Sequence, residues 1–280
     1  MEESKIKINL SPIQETLLLP LWARAKETEK EKPIIRDIYA RDIINCIDYD
    51  FSKIEAVPEI ADNQQLMWAI RAYNFDLIIS EFLEQYEKVI IINIGAGLDT
   101  TFRRIDNGSI LWINIDLPNV AALRHKLIPN STREITIGKS VFDFSWIDDI
   151  SHLIKDSTIL FIAAGVLFYF RRLEVKALLD KLNEAYPKAH FVFDAIASKV
   201  WVILTNWAIM RKSGLKSEAR LKWYLKKASK LRMWIDNIKV IDEYSMFSRI
   251  PLIEGLSKKL NRDLRIAKHI NIYNIFHIKF

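Results

Sequence analysis

The chain has a single cysteine among 280 residues, so no internal disulfide can form, as suits a reducing cytoplasm. Cys46 lies in an apolar-periodic segment with Ile43, Ile44 and Ile47, which predicts buried packing rather than a reactive thiol. Histidine is sparse, and His125, His152, His190, His269 and His277 include no pair at a metal-ligand spacing, so no metal site is expected. Long apolar runs are missing too. The longest block, Ile159 to Phe170, is too short to span a bilayer. Glu2, Glu3 and Lys5 precede any apolar run, which argues against a signal peptide. Repeats and low-complexity tracts are absent. These features predict a cytoplasmic protein with no membrane role.

Composition is that of a globular chain, with 50% hydrophobic and 27% charged residues. The net charge of +6 could suggest nucleic acid. The lysines, however, are scattered along helical faces, and no nucleic-acid partner is expected. The densest basic region, Arg211 to Arg232, is interleaved with Leu215, Leu221, Trp223, Tyr224 and Leu225, which predicts an amphipathic helix with a solvated basic face.

What is present is one informative stretch. Val89-Ile90-Ile91-Ile92-Asn93-Ile94 reads as a buried strand, and Gly95-Ala96-Gly97 as the turn that ends it. Twenty-one positions past Gly95, Asp116 closes a second apolar run, Ile110 to Ile115. Strand, glycine turn, crossover and an acid at the tip of the next strand make a nucleoside-binding half of an α/β fold. The acid can take both hydroxyls of a ribose. A dinucleotide site wants a third glycine three positions after the second, where this chain has Thr100. Asp99 at the mouth of the turn disfavours a polyphosphate by like-charge repulsion and suits an ammonium or sulfonium. S-adenosylmethionine carries both charges and a ribose. A Gly-x-Gly turn alone also occurs without any ligand, and Asp116 is what favours the nucleoside.

Around this core, residues 1–60 read as a helical cover, interrupted at Pro12, Pro20 and Pro33, with an exposed polar link from Glu27 to Lys32. Residues 65–195 read as the cofactor-binding core. Within it, Met67 to Phe82, Pro118 to Leu127 and Leu173 to Ala185 have helical spacing, and Glu134 to Ile137, Thr158 to Ala163 and His190 to Asp194 read as strands. Residues 196–235, with Trp201, Trp207, Trp223 and Trp234, read as a helical insertion. In residues 236–280, Lys239 to Glu243, Asp263 to His269 and Tyr273 to Phe280 read as C-terminal strands. Alternating strands and helices imply a parallel sheet with right-handed crossovers in one domain.

Several motifs together resemble the leucine carboxyl methyltransferase superfamily, in its tetracenomycin polyketide-synthesis O-methyltransferase-like branch. They are Asn93 to Arg104, Asp116-Leu117-Pro118, Ser140 to Trp146, Gly165-Val166-Leu167-Phe168-Tyr169, Phe193-Asp194, Gln14 to Leu18 and Ile47 to Ser52. The resemblance implies a class I S-adenosylmethionine-dependent methyltransferase fold: a seven-stranded, Rossmann-like α/β sheet with an antiparallel last strand and a helical lid. It implies Gly95, Ala96 and Gly97 at the cofactor turn, Asp116 on the ribose and Leu117 beside the adenine. It further places Ser140 and Val141 at the adenine, Ala163 with its carbonyl toward the ammonium, and Arg71 on the methionine carboxylate. A guanidinium matches a carboxylate plane, so that last role is chemically apt. Asp143 is a substitute candidate for the adenine amino group, or else a turn residue. One departure is Ala164, where relatives commonly carry an acid. Asp99 is a candidate to compensate.

No general base stands out, so no catalytic residue is assigned. A carboxylate acceptor is already ionised at neutral pH and needs none, whereas a phenol, with a pKa near ~10, would benefit from one. The expected activity is therefore O-methylation of a small-molecule carboxylate or hydroxyl. The competing readings are a protein C-terminal carboxyl methyltransferase and a catalytically weak S-adenosylmethionine-binding protein. Arg24 is expected either to reach a cofactor or substrate carboxylate or to be solvated. The four insertion tryptophans either line the acceptor pocket or pack the insertion onto the sheet.

Overall fold

Val89–Ile94 is buried along its whole length because its alternating residues serve two faces at once. Ile90, Ile92 and Ile94 enter one hydrophobic cluster, while Val89 and Ile91 enter another. A strand covered on both sides has no solvent face, so its sequence is a continuous apolar run.

The computed structural model describes residues 5–8, 12–52, 58–212, 220–251 and 253–280. The chain begins with β1 (Ile6–Lys7), α1 (Pro12–Thr28), α2 (Ile38–Cys46), β2 (Ile47–Asp48) and the long helix α3 (Pro58–Gln85). The alternating part follows as β3 (Val89–Ile94), α4 (Thr101–Ile105), β4 (Leu111–Asp116), α5 (Pro118–Leu127), β5 (Glu134–Gly138), α6 (Ser145–Ser151), β6 (Thr158–Ala163), α7 (Arg172–Ala185) and β7 (His190–Ile196). It closes with α8 (Lys199–Lys212), β8 (Lys239–Ser245), α9 (Lys258–His269) and β9 (Tyr273–Lys279), with 3-10 turns at Leu167–Tyr169 and Ala228–Met233. None of the described helices is long and apolar enough to cross a membrane.

The main sheet has seven strands in the order β5-β4-β3-β6-β7-β9-β8. Its first five strands are parallel, and β9 runs antiparallel to both β7 and β8. This is the doubly wound α/β sheet expected, including the antiparallel last strand. Helices α6 and α7 cover one face through Trp146, Ile150, Val175, Leu178, Leu179 and Leu182. Helix α3 covers the other through Leu66, Ile70, Phe75, Ile79 and Phe82.

Several local expectations fail for identifiable reasons. Pro20 does not interrupt its helix: α1 continues through it, with Leu18, Leu21, Trp22 and Ala25 buried on either side. A mid-helix proline costs ~3 kcal/mol, which burial of this apolar face offsets. Of the polar link, Glu29 to Lys32 are exposed as expected, but Glu27 at its start is not. Glu27 is fully buried and accepts from Lys30 Nζ at 2.6 Å, Gln65 Nε2 at 2.6 Å and the Ile34 N–H at 2.7 Å. Asp263 to His269 belongs to helix α9 rather than a strand. Its start is capped by Ser257, whose hydroxyl accepts from the Leu260 N–H, and Leu260 and Leu264 lie against the sheet cover. No single helix spans Arg211 to Arg232, since α8 ends at Lys212 and residues 220–227 are not helical. There Leu221, Trp223 and Leu225 are buried while Lys222, Tyr224 and Lys226 are exposed, a period of two. Leu215 lies outside the described residues. Cys46, at the end of α2, is exposed rather than buried.

At the N-terminal end of β7, His190 Nδ1 lies 2.8 Å from His277 Nε2 of β9, and Tyr86 Oη lies 3.4 Å from His190 Nε2. One ring donates to the other, which needs the accepting ring to be neutral. Burial pushes both histidines down to about 4, with each other's proximity and Lys279 adding to the effect on His190 and Asp242 opposing it on His277. The unfolded value is near ~6.5. Between those limits the unfolded chain binds more protons, so stability is lost as pH falls through that window and is fully present above it. The melting temperature is expected to drop by about 5 °C between pH 7 and pH 4.5. A His190→Phe/His277→Leu variant should show a distinctly smaller drop in scanning calorimetry.

Candidate active site

Because β3, β4, β5, β6 and β7 are parallel, their C-terminal ends share one edge of the sheet. The chain starts at the central strand β3, builds outward to β5, then crosses back to β6. The topological switch point therefore lies between β3 and β6, where doubly wound sheets open a ligand crevice. Gly95 and Ala96 follow β3, Asp116 ends β4, Ser140 and Val141 follow β5, and Ala163 and Ala164 end β6. Nearly every residue singled out in the sequence thus comes to this edge. Arg71 arrives from α3.

The turn after β3 is folded back on β4. The Gly95 N–H donates to Ile115 O at 2.8 Å, and the Gly97 N–H donates to Asp116 Oδ2 at 2.6 Å. Gly95 and Gly97 both have positive φ, at 66° and 51°, a region that favours glycine. A Cβ at Gly95 would also lie 2.7 Å from Val166 Cγ2, so that turn is tightly packed against the loop after β6. Leu17 of α1 lies against Gly97.

Asp116 takes a second bond from the Leu117 N–H, to Oδ1, at 2.7 Å. Two ionised carboxylate oxygens offer about four acceptor sites, so each retains capacity for a further donor. Burial raises the Asp116 pKa, while the Gly97 and Leu117 amides and Arg124 pull it back. Leu117 beside it is 49% exposed, an apolar side chain left open next to the acid.

The carbonyl side of the turn is gripped by two buried arginines. Arg124 of α5 donates to Gly97 O at 3.1 Å and Asp99 O at 2.6 Å, and Arg24 of α1 donates to Leu98 O at 3.0 Å. Arg124 pairs with Glu134 at 2.6 Å, and Arg24 with Asp37 at 2.8 Å. Asp37, fully buried, also accepts from Arg104 at 2.6 Å and Thr100 Oγ1 at 2.5 Å. Burial pushes Asp37 up, but Arg104, Arg24 and Thr100 outweigh it and hold the carboxyl below its ordinary value. Arg104 in turn forks onto Asp76 at 2.7 and 2.8 Å. Arg24 is therefore neither solvated nor free for a ligand. Arg124, Glu134, Asp37 and Arg104 escaped sequence reasoning, because no local pattern marks a buried ion pair whose members lie far apart in the chain.

Asp99 is also committed within the turn. Its Oδ1 accepts from the Thr101 N–H at 3.1 Å and Thr101 Oγ1 at 2.8 Å, and its Oδ2 accepts from Asn93 Nδ2 at 3.0 Å. Asp143 is exposed and accepts from Ser145 Oγ at 2.7 Å, bonds that hold its pKa down. It acts as a turn residue at the start of α6.

On the β6–β7 side, Arg71 lies directly over Gly165, whose φ is 78°, and a Cβ there would meet the guanidinium. Asp194 of β7 accepts from the Gly165 N–H at 2.6 Å, and its Oδ2 stands 4.0 Å from Arg71 Nη1. Burial raises Asp194, with Arg71 and the Gly165 amide opposing. Tyr169 and Tyr273 lie near enough to feel both charges, and burial raises both phenols. Trp201 joins the apolar wall here with Phe168, Ile196 and Leu221. The four tryptophans do not act together. Trp223 is buried against Phe193, Trp234 packs below Arg172, and Trp207 is 57% exposed. Two surface clefts of about 450 and 440 Å³ lie elsewhere, on α9 and between α6 and α7. The first is lined by Lys258, Asn261 and Arg265 and the second by residues including Asp148, Lys181 and Glu184, and neither touches the glycine turn or Asp116.

Known proteins fit this geometry. The family model described as leucine carboxyl methyltransferase matches residues 18–183. The chain is 26% identical over 240 residues to the tetracenomycin polyketide synthesis O-methyltransferase TcmP of Streptomyces glaucescens, covering 85% of each chain. It is 25% identical over 288 residues to an S-adenosyl-L-methionine-dependent methyltransferase of Gibberella zeae, covering 96% of this chain and 94% of that one. In fold it resembles a DUF574 family protein from Streptomyces avermitilis, with a TM-score of 0.59, 10% identity, and 96% and 99% of the two chains covered.

The ion network sets one expectation. Asp37→Ala leaves Arg24 and one arm of Arg104 buried without their anion, and should cost about 3–5 kcal/mol in urea unfolding. A loss below ~1 kcal/mol would mean that water or Asp76 takes over its role.

Proposed function

The chain belongs to the leucine carboxyl methyltransferase family and is an S-adenosylmethionine-dependent methyltransferase, and from that premise we propose that it methylates an oxygen of a small, polyketide-like aromatic acid. A carboxylate is the first candidate acceptor and a hydroxyl of the same class of molecule the second. The observation that carries the cofactor site is Asp116, held at the tip of β4 by two backbone N–H groups with acceptor capacity to spare.

The residues present suit the cofactor. Asp116 would take the ribose hydroxyls, Leu117 and Val141 would flank the adenine with Ser140 beside them, and Gly95, Ala96 and Gly97 would bring backbone close to the nucleoside. Arg71, whose guanidinium stands 4.0 Å from Asp194, would take the methionine carboxylate. The Ala163 carbonyl ends β6 on the opposite side of the switch point. Asp99 would contribute negative charge near the mouth, although its oxygens are already bonded within the turn.

When bound, S-adenosylmethionine supplies a methyl group already activated by its sulfonium. The protein's part is then alignment and exclusion of water. Phe168, Trp201, Ile196 and Leu221 offer an apolar wall beside the β7 end, suited to an aromatic acceptor. An ionised carboxylate needs no proton removed, which accords with the absence of a histidine among the groups described at this edge. A second reading, a weakly active binder, is favoured by the methyl group at Ala164. It predicts cofactor binding without turnover.

Asp116→Ala is expected to weaken binding of S-adenosylhomocysteine about 100-fold in calorimetry, the effect of losing two hydrogen bonds to a charged group, while circular dichroism stays unchanged. Unchanged affinity would remove Asp116 from the site, and binding of NADH alone would defeat the cofactor assignment. Turnover of labelled cofactor against a panel of aromatic acids separates enzyme from binder. With a carboxylate acceptor the rate should be nearly flat from pH 6 to 9, whereas a rise with pH would point to a phenol.

A further inference from the structure

The pair formed by Arg71 and Asp194 is unlike the other buried ion pairs of this protein. Arg104 and Asp76 meet at 2.7 and 2.8 Å, and Arg124 and Glu134 at 2.6 Å, each with direct hydrogen bonds. Arg71 and Asp194 stop at 4.0 Å, beyond hydrogen-bond reach. Asp194 is 1% exposed, and its Oδ2 has no hydrogen-bond partner. A buried carboxylate oxygen without a donor is costly, more so than a neutral acceptor. Its other oxygen is held by the Gly165 N–H, so the side chain is fixed in direction. Arg71 rests against Gly165, where any side chain would displace it.

Two opposite charges that face each other at 4.0 Å without a hydrogen bond between them match a ligand that carries both charges itself. We infer that Asp194 Oδ2 accepts the α-ammonium of the cofactor's methionine end while Arg71 takes the adjacent carboxylate, so that the two side chains together read an α-amino-acid zwitterion. The inference rests on the cofactor reading above and assigns an ammonium partner within it. Other side chains are weaker partners: Asp99 spends Oδ1 on Thr101 and Oδ2 on Asn93, and Ala164 offers only a methyl group. The Ala163 carbonyl is a neutral acceptor that can share the ammonium with Asp194, which adds the negative charge. Asp194 sits one strand over, on β7, directly beyond the Phe193–Ala163 pairing. Because burial raises the Asp194 pKa, an arriving ammonium should also drive a proton off any protonated fraction.

The test uses calorimetry with three probes: S-adenosylhomocysteine, its deaminated analogue in which hydrogen replaces the ammonium, and 5′-methylthioadenosine, which lacks the amino-acid end. The wild type should prefer S-adenosylhomocysteine over the deaminated analogue by about 30-fold, the effect of one charge-assisted hydrogen bond. Asp194→Asn should reduce that preference to less than about 3-fold and leave methylthioadenosine binding unchanged. Equal affinity of the wild type for the first two probes overturns the assignment, and that comparison needs no variant to fold. Full retention of the preference in Asp194→Asn overturns it equally, while leaving the cofactor site at Asp116 intact. Failure of the wild type to bind any of the three removes the cofactor reading and this inference with it.

Discussion

Three consecutive carbonyls, those of Gly97, Leu98 and Asp99, accept hydrogen bonds from two buried guanidiniums, and the shape of the crevice follows from that grip. With the carbonyls drawn inward, the Gly97 N–H is left to meet Asp116 from the neighbouring strand. The arginines come from opposite directions, Arg24 from the N-terminal helix and Arg124 from the helix after β4. Each would be prohibitive to bury alone, so each brings an anion, Asp37 or Glu134. The turn is thus set before any ligand arrives, which spares a nucleoside the entropy of ordering it. The same bonds tie α1 to the sheet edge, so the cover and the crevice share one electrostatic framework.

The central sheet was legible because its strands are buried on both faces and separated by helices with clear apolar spacing. Thr158–Ala163 and Pro118–Leu127 appear at the expected bounds, and His190–Ile196 extends the expected strand by two residues. Asp116 and the glycines were legible for a different reason. Their spacing encodes a crossover whose ends must meet at one edge, so chain order alone brings them together.

What stayed hidden depends on partners distant in sequence. Glu27 looks like surface until Gln65, 38 residues on, turns toward it. Arg24 looks like a solvated helix charge until Asp37 and the Leu98 carbonyl enclose it. The C-terminal helix α9 was misread because a short stretch such as Leu264-Arg265-Ile266 alternates like a strand. The decisive signal was Ser257 as its cap, together with the wider spacing of Leu260 and Leu264. In sequence Trp223 is open between lining a ligand pocket and packing the insertion onto the sheet, and its ring completes the core beside Phe193.

Charge balance at the switch point gives the proposed chemistry a direction. Arg24, Arg103, Arg104 and Arg124 are answered by Asp37, Asp76 and Glu134, and Arg71 stands opposite Asp194. Asp116 and Asp99 remain, hydrogen-bonded to neutral donors, with a more distant influence of Arg124 on Asp116 and of Arg104 on Asp99. The crevice therefore carries net negative character in a partly dehydrated place, where Coulomb interactions exceed their strength in water. A polyphosphate would meet repulsion there. A sulfonium nucleoside with a zwitterionic tail has a net positive charge and meets attraction, whereas its demethylated product has no net charge and loses that part of its hold. On this reading, the same carboxylates that favour entry of the charged cofactor also favour departure of the spent one, with no moving part required.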